Sequence, residues 1–343
     1  MTSIELIVNL TAIESLVDIW KPMMKQSILI VGAGAVGQVY AYYFARAGHD
    51  VHLFVKEKYL AEAEQGFTLY DLNQDKKRQH PTQFKNFHCH SDWSTVAQQP
   101  WQQVWLCVSS TALAQMDLQP MLQAIGDATV VVLQPGPDDI QHVKAVAGDE
   151  RVVSGMINMI SYHAPLATEV LAQEGTAFWL PPLIPMPIDG ERQRADDVIQ
   201  LLKQSKIPAS YQQGFAERGI HSTAFLMVFL AALEINHWKY KALGQNKAIL
   251  KTMIEAQQEA FAAISQHYGT KPALALTCVK TWMLPSILFA SRYVAPLDME
   301  TYLEAHFSKV RPQTMALLNL YIERAKQYQL KHEALVGLVA QMS

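Results

Sequence analysis

The chain has 343 residues, of which half are hydrophobic and 17% are charged, and its formal net charge is −3. This length favours two domains, and the composition supplies a large hydrophobic core. A weak net charge without basic runs excludes the usual signature of a nucleic-acid-binding protein, so we expect no nucleic-acid partner. Three scattered cysteines without metal-ligand spacing fit reduced thiols, which predicts a cytoplasmic location.

Residues 1–24 are predicted to be an N-terminal extension outside the fold. Met1–Trp20 mixes acidic with apolar residues and has no basic start, so a signal peptide is not indicated. An upstream start codon is one hypothesis for the origin of this extension. The most apolar later stretch, Thr223–Leu233, is too short to span a bilayer, and we expect no membrane partner.

Ser27–Val55 carries a dinucleotide-binding pattern. An apolar strand, Ile28–Val31, precedes G-A-G-A-V-G, and a helix at Gln38–Ala47 and a strand at Val51–Val55 follow. In this βαβ context the three glycines allow a tight turn, close approach to a pyrophosphate, and packing of the helix on the strand. The residues predicted to contact the cofactor in this loop are Gly32, Ala33, Gly34, Ala35, Val36 and Gly37.

The end of the second strand indicates which dinucleotide binds. An acidic residue there bonds the ribose of NAD, whereas a cation there meets the 2′-phosphate of NADP. The strand runs into Lys56, and Glu57 is expected to point to the opposite side. We therefore predict NADP as the cofactor, with Lys56 contacting the phosphate.

Strand and helix patterns alternate after Val55, which predicts an α/β fold. The predicted strands are Val104–Val108, Thr129–Leu133 and Val152–Ile160, and the predicted helices between them are Leu113–Ile125 and Asp138–Val146. This alternation is typical of a Rossmann-type, doubly wound parallel sheet. The later pattern is all-helical, at Glu217–Leu243, Lys247–Tyr268, Lys271–Phe289 and Met299–Gln329. We predict an NADP-binding domain at 25–213 and a helical substrate or dimerisation domain at 214–343.

The stretches I-L-I-V-G-A-G-A-V-G and A-G-H-D-V-H-L-F-V-K, with the two-domain plan, resemble the ketopantoate reductase (2-dehydropantoate 2-reductase) family. The resemblance implies an NADPH-dependent oxidoreductase of pantothenate biosynthesis, with substrate and nicotinamide in the cleft between the domains. It also implies cofactor contacts where two strands end, at Ser109 and Pro135. The family commonly has a lysine and an Asn-Gly pair at those two places.

The catalytic positions depart from the family pattern. The family's lysine and asparagines on the first helix of the second domain have no match in Ile220–Leu233. His221 is then the candidate proton donor, since histidine exchanges protons near neutral pH. Glu300, in D-M-E-T-Y-L, loosely matches the family's glutamate, so the predicted catalytic residues are His221 and Glu300. Weaker candidates for substrate contact are Tyr162, His163 and Ser222.

Three functions remain open at this point. The leading one is NADPH-dependent reduction of a 2-oxo acid or another small carbonyl compound to the alcohol. The second is a non-catalytic NADP-binding sensor or partner protein, and the third is an opine-dehydrogenase-like enzyme. His237 and His267 lack a partner at metal-ligand spacing, so no metal is predicted. The apolar helices fit a homodimer interface or a monomer's core equally well.

Overall fold

The computed structural model describes residues 25–342 except 135, 183, 292 and 294. The predicted N-terminal extension and the predicted cofactor contact Pro135 therefore lie outside the described residues. Strands occupy the first part of the described chain, up to Tyr211, and only helices follow.

The strands form two sheets. Their bounds are β1 Ser27–Val31, β2 Asp50–Phe54, β3 Phe67–Asp71, β4 Thr82–Phe84, β5 His88–His90, β6 Gln103–Leu106, β7 Thr129–Val132, β8 Val152–Gly155, β9 Ile160–Ala164, β10 Gly175–Trp179, β11 Met186–Gly190 and β12 Ala209–Tyr211. The main sheet has eight strands in the order β12-β11-β8-β7-β6-β1-β2-β5. Its neighbours pair in parallel except β11, which runs antiparallel to β8. The predicted α/β class with a Rossmann-type sheet is confirmed.

Helices cover this sheet and fill the second part of the chain. Those in the first part are α1 Ala35–Arg46, α2 Leu60–Glu64, α3 Trp93–Val96, α4 Ser110–Ala114, α5 Gln119–Ala124, α6 Pro137–Ala147 and α7 Arg192–Gln204. Those in the second part are α8 Phe215–Ile235, α9 Tyr240–Gln245, α10 Lys247–Tyr268, α11 Leu274–Thr277, α12 Leu284–Ser291, α13 Met299–Lys309, α14 Arg311–Gln327 and α15 Glu333–Val339.

A second, four-stranded sheet was not predicted. Its order is β4-β3-β10-β9, and β10 pairs in parallel with β3 and antiparallel with β9. The predicted single strand Val152–Ile160 is wrong, because β8 ends at Gly155 and β9 starts at Ile160 in the other sheet. Tyr162 and His163 therefore do not follow a strand of the main sheet; they lie within β9.

Four predicted helices are interrupted. Leu113–Ile125 is replaced by α4 and α5, and Lys271–Phe289 is replaced by α11 and α12. Glu217–Leu243 breaks after Ile235, where His237 and Trp238 have φ of 55° and 59°. Met299–Gln329 breaks at Val310, because Pro312 in the first turn of α14 cannot continue the hydrogen bonds of α13.

Helix α8 is long and apolar enough, by length and composition alone, to cross a membrane. Half of the segment concerned is buried, and α8 packs against α10 and α14. Val228 and Ala231 are fully buried within the helical core. A core helix passes the same test of length and composition, and α8 is buried as a core helix is.

The helical part rests on the main sheet through α6 and β11. Helix α8 contacts both of these elements, and the guanidinium of Arg324 lies 4.0 Å from the carboxylate of Asp138 at the start of α6. This contact places α14 beside the start of α6, which follows the carboxyl end of β7, and open α/β sheets bind ligands at such strand ends.

Candidate functional site

The glycine loop between β1 and α1 is closed by three backbone contacts. Gly32 has φ of 104° and donates its N–H to the Phe54 carbonyl over 3.0 Å. A Cβ atom on Gly32 would lie 2.9 Å from the Cys107 carbonyl, so β6 leaves no room for a side chain. A Cβ on Gly37 would collide with the Gly32 carbonyl oxygen. These contacts give Gly32 the tight turn and Gly37 the close packing that the fingerprint predicts.

Gly34 shows that the loop suits a dinucleotide. A Cβ placed on Gly34 would meet no atom of the described residues within 4 Å. Gly34 caps α1, whose first turn carries no acidic residue and no capping side chain. The first N–H groups of a helix lack partners within it and attract phosphate. The residues present therefore fit a pyrophosphate at this helix start.

Gln38 is a functional candidate that the sequence did not reveal. Its amide nitrogen donates to the Ala33 carbonyl over 2.9 Å, and its amide oxygen accepts from Thr176 Oγ1 over 2.6 Å. Gln38 thus ties the glycine loop to β10 of the second sheet. The partner lies far away in the chain, so no local pattern indicates this role.

The loop opens into a cleft of about 960 Å³. The lining includes the glycine loop, the end of β2 and part of the second sheet, and its residues are Val31, Gly32, Ala33, Gly34, Gln38, Phe54, Val55, Lys56, Tyr59, Glu62, Ala63, Gly66, Phe67, Thr68, Trp93, Val108, Ala112, Gln115, Met116, Asp117, His163, Glu174, Gly175, Thr176 and Lys309. Of the predicted cofactor residues, Ala35, Val36, Gly37 and Ser109 are not part of this lining.

Lys56 stands where β2 meets the cleft. Its side chain is exposed and has no ion-pair partner among the described residues. Glu57 turns away and accepts a hydrogen bond from Ser91 Oγ over 2.5 Å. Phe54 stacks on Trp93 with the ring centres 3.7 Å apart, and both rings line the same end of the cleft. This end combines an aromatic wall with a free ammonium.

The carboxyl ends of β6 and β7 carry structural polar groups. Ser109 caps α4, since its Oγ accepts from the Ala112 N–H over 3.2 Å. The buried amide of Gln134 donates to the carbonyls of Leu106 and Val108, at 3.1 Å and 2.6 Å. Burial raises the pKa of the Cys107 thiol well above its usual range, so the thiol stays protonated. We interpret all three as supports of the loop ends.

His163 and Tyr162 lie on opposite faces of β9. His163 lines the cleft, and its Nε2 lies 3.6 Å from a carboxylate oxygen of Glu174. Tyr162 is buried instead, donates its hydroxyl to Glu169 over 2.8 Å and accepts from Arg78 over 2.9 Å. Only His163 of the pair is placed to meet a ligand, because neighbouring strand residues point to opposite faces.

Lys309 was missed by sequence reasoning. It is the last residue of α13, is exposed, and lines the cleft together with residues of the second sheet. No ion pair to Lys309 is present among the described residues. The family's lysine belongs to a different helix, so resemblance gave no reason to select this position.

His221 is placed away from the cleft, contrary to its predicted catalytic role. The residue is fully buried in α8, where its Nε2 lies 3.1 Å from Ser265 Oγ and its ring packs edge-on against Phe261. Burial lowers the pKa of His221 below its usual value. The predicted substrate contact Ser222 is exposed but lies outside the cleft lining.

Glu300 is likewise placed as a structural residue. One carboxylate oxygen accepts from the Tyr240 N–H over 2.8 Å at the start of α9, and the other lies 4.0 Å from Lys239 Nζ. Glu300 thus joins α13 to α9. It is not part of the cleft lining, so the described geometry gives no support to catalysis by this residue.

Comparisons with known proteins find a family model that matches the first part of the chain. Residues 28–183 match the family model of ketopantoate reductase PanE/ApbA. The predicted resemblance is confirmed over these residues. This span contains the glycine loop, Lys56 and both strand ends described above. No curated protein matches the chain.

Solved structures share the fold at low sequence identity. A 2-dehydropantoate 2-reductase from Geobacter metallireducens GS-15 is 15% identical, with a TM-score of 0.65 over 92% of this chain and 98% of its own. A PanE/ApbA family ketopantoate reductase from Ralstonia eutropha JMP134 is 19% identical, with a TM-score of 0.67 over 92% and 97%. D-mandelate dehydrogenase with NADH and anilino(oxo)acetate is 13% identical, with a TM-score of 0.66 over 92% and 96%. The likeness covers both parts of the chain.

Proposed function

We propose that this protein is a cytoplasmic, NADPH-dependent reductase of a small 2-oxo acid. The observation that carries the proposal is the cleft itself, whose lining brings Gly34 of the glycine loop together with the two lysines Lys56 and Lys309. The family is one of NAD(P)-dependent reductases, and one similar structure holds NADH together with an oxo acid.

Lys56 supports NADPH over NADH. Its ammonium is free of ion pairs among the described residues, while the neighbouring Glu57 is engaged by Ser91. A cation at the end of the second strand favours a 2′-phosphate, and an acidic residue there favours a bare ribose. Phe54 and Trp93 supply an apolar wall beside it for the adenine ring.

Lys309 and His163 support an anionic substrate. Both line the cleft together with Thr176, which is hydrogen-bonded to the Gln38 side chain of α1. A 2-oxo acid brings a carboxylate, and a lysine ammonium binds such a group by a charge-assisted hydrogen bond. The bound cofactor supplies the hydride, and the reduced oxygen then requires a proton. We assign carboxylate binding to Lys309 and proton donation to His163, which the Glu174 carboxylate orients.

Steady-state assays test this function directly. The purified protein is mixed with NADPH and a panel of 2-oxo acids that includes 2-dehydropantoate and phenylglyoxylate, and NADPH oxidation is followed by absorbance. We expect turnover with at least one 2-oxo acid and none with the matching aldehydes, which lack a carboxylate. Tight NADPH binding without turnover across the panel would overturn the reductase proposal.

A second candidate is an NADP-binding protein without chemistry. The observation favouring it is that the predicted catalytic residues serve structure, with His221 buried against Ser265 and Glu300 capping α9. This candidate predicts that NADPH binds and that the His163→Gln and Lys309→Ala variants bind it equally well. The panel assay separates the two candidates, because only the reductase consumes NADPH.

A further inference from the structure

Four polar side chains share one face of the sheet edge formed by β2 and β5. Asp50 and His52 alternate along β2, and His88 and His90 alternate along β5. His52 pairs with His88 across the parallel strands. Since residues two apart point to the same face of a strand, this pairing collects three imidazoles and one carboxylate on one surface.

Three of these groups are spaced like the ligands of one ion. Nε2 of His52 lies 3.5 Å from Asp50 Oδ2, and Nε2 of His88 lies 3.9 Å from Asp50 Oδ1. All three ligand atoms lie within 4.8 Å of one another. Two ligands on a tetrahedral zinc are about 3.3–3.5 Å apart, given metal–ligand distances near 2.0–2.2 Å. The His88 side chain is exposed and can rotate towards the other two ligands.

His52 is held in the orientation that a ligand needs. His52 is 2% exposed, and its ring packs edge-on against the Trp101 ring, with 4.8 Å between the ring centres. Nδ1 lies 2.8 Å from His90 Nε2, and His90 Nδ1 lies 3.1 Å from Thr95 Oγ1. Nε2 of His52, in contrast, is buried and makes no hydrogen bond within the described part of the chain; the Asp50 carboxylate lies 3.5 Å from it.

The hydrogen-bond chain explains how that nitrogen becomes a ligand. When His52 donates its Nδ1 proton to His90, and His90 donates its own Nδ1 proton to Thr95, Nε2 of His52 keeps a free lone pair. Metal-binding histidines are commonly oriented by such a bond from the other ring nitrogen.

We propose that Asp50, His52 and His88 bind a divalent transition-metal ion, Zn²⁺ by the chemistry of the donors. Two imidazoles and a carboxylate suit zinc and disfavour calcium or magnesium, which prefer oxygen ligands alone. An adjoining cavity of about 470 Å³ has room for a water as the fourth ligand. Lys25 Nζ lies 3.5 Å from Asp50 Oδ1, but its exposed side chain can withdraw into solvent.

This site is separate from the cofactor cleft. The cavity beside it and the cleft have no lining residue in common. The ion would clip the edge strand β5 to β2, a pairing that rests on only three residues of β5. Its role is therefore stabilisation of the sheet edge. From the sequence no metal was predicted, because His237 and His267 lack a partner at metal-ligand spacing. Spacing along the chain does not reveal ligands that come together from two paired strands.

Metal titration of the full chain tests the proposal. Untagged protein, stripped with a chelator, is titrated with Co²⁺ by visible absorption and with Zn²⁺ by calorimetry. We expect one equivalent of each, with a tetrahedral cobalt spectrum and a rise in Tm on adding Zn²⁺. His88→Gln, at an exposed position, is expected to weaken zinc binding by about tenfold or more.

His80→Gln is the matched control. His80 is also exposed and lies 3.3 Å from a carboxylate oxygen of Asp75, so it reproduces a surface histidine–carboxylate pair without the buried partner. We expect this variant to bind zinc as the wild type does. Equal affinity of His88→Gln and wild type, or no stoichiometric binding at all, would overturn the proposal. His52→Gln removes the second imidazole ligand and is titrated with zinc in the same way, after its fold has been checked by circular dichroism.

Discussion

The backbone of Gly37 lies so close to the carbonyl oxygen of Gly32 that a Cβ atom on Gly37 would collide with it. The first and third glycines of the fingerprint thus pack directly against each other, and this contact fixes the start of α1 against β1. Gly34, between them, lines the cleft, and no atom of the described residues lies within 4 Å of its Cβ position. The loop therefore separates two tasks: folding at Gly32 and Gly37, and ligand access at Gly34.

Alanine substitutions are expected to separate these two tasks. Gly37→Ala overpacks the helix–strand contact and should lower the free energy of unfolding by about 1–3 kcal/mol. Gly34→Ala fits the backbone, whose φ is −70°, and should cost at most about 1 kcal/mol as a change of helix cap. Its methyl group enters the space for the pyrophosphate, so NADPH affinity should fall at least about tenfold.

Urea unfolding and NADPH fluorescence titration measure the two effects on the same preparations. A Gly34→Ala protein that binds NADPH as tightly as the wild type would show that the pyrophosphate does not lie over this loop.

Lys56 is expected to set the cofactor preference. Removing a charge-assisted hydrogen bond to the 2′-phosphate costs about 1.5–3 kcal/mol, so Lys56→Ala should raise the Kd for NADPH by about 10- to 100-fold. The Kd for NADH should stay unchanged. Lys58→Ala is the control, because the Lys58 ammonium already lies over the Tyr59 ring at 4.7 Å. Calorimetric titration of both nucleotides provides the comparison.

Lys309 is expected to act on the substrate and not on the cofactor. Lys309→Ala should lower kcat/KM for a 2-oxo acid by about 10- to 100-fold, since a charge-assisted bond to the carboxylate is lost. The NADPH Kd should be unaffected. Lys326→Ala changes an exposed lysine of α14 outside the cleft and should leave both values as in the wild type. Equal loss in the two variants would point to a general charge effect.

The buried His221 is expected to make the free energy of unfolding depend on pH. Its pKa is lowered by burial from the usual 6.5, so the unfolded chain binds this proton more readily than the folded protein does. The stabilisation is therefore fully present above about pH 6.5 and is lost as the pH falls below that value. His221→Gln should flatten the pH dependence of the unfolding free energy in this range. Urea unfolding at stepped pH values measures it, and an unchanged slope would contradict the assignment.

The sequence predicted those parts of the fold whose signals are local. The run from Ser27 to Lys56 contains a complete βαβ unit, so each glycine had its own neighbours as context. Helix α10 was predicted with its observed bounds, because its apolar spacing continues without interruption from Lys247 to Tyr268. Local patterns were sufficient wherever the partner of a residue lay in the same or the next element.

The rest depends on contacts between distant residues. The second sheet joins β3 to β10 across a long separation in the chain, and its short strands carry no strong pattern. His221 was predicted to face the substrate, but the packing of α8 on α10 turns it towards Ser265. Lys309 lines the cleft at the end of α13, just before the helix break that Pro312 in the first turn of α14 enforces. Such placements follow from tertiary packing, which a single sequence does not reveal.

Consumption of NADPH with a 2-oxo acid is the measurement that tests the central claim most directly. The wild type, His163→Gln and Lys309→Ala proteins are assayed side by side with the 2-oxo acid that gives the highest rate. The account predicts NADPH-dependent formation of the 2-hydroxy acid, with a lower kcat in His163→Gln and a higher KM in Lys309→Ala. Binding of NADPH with no product from any 2-oxo acid would contradict it.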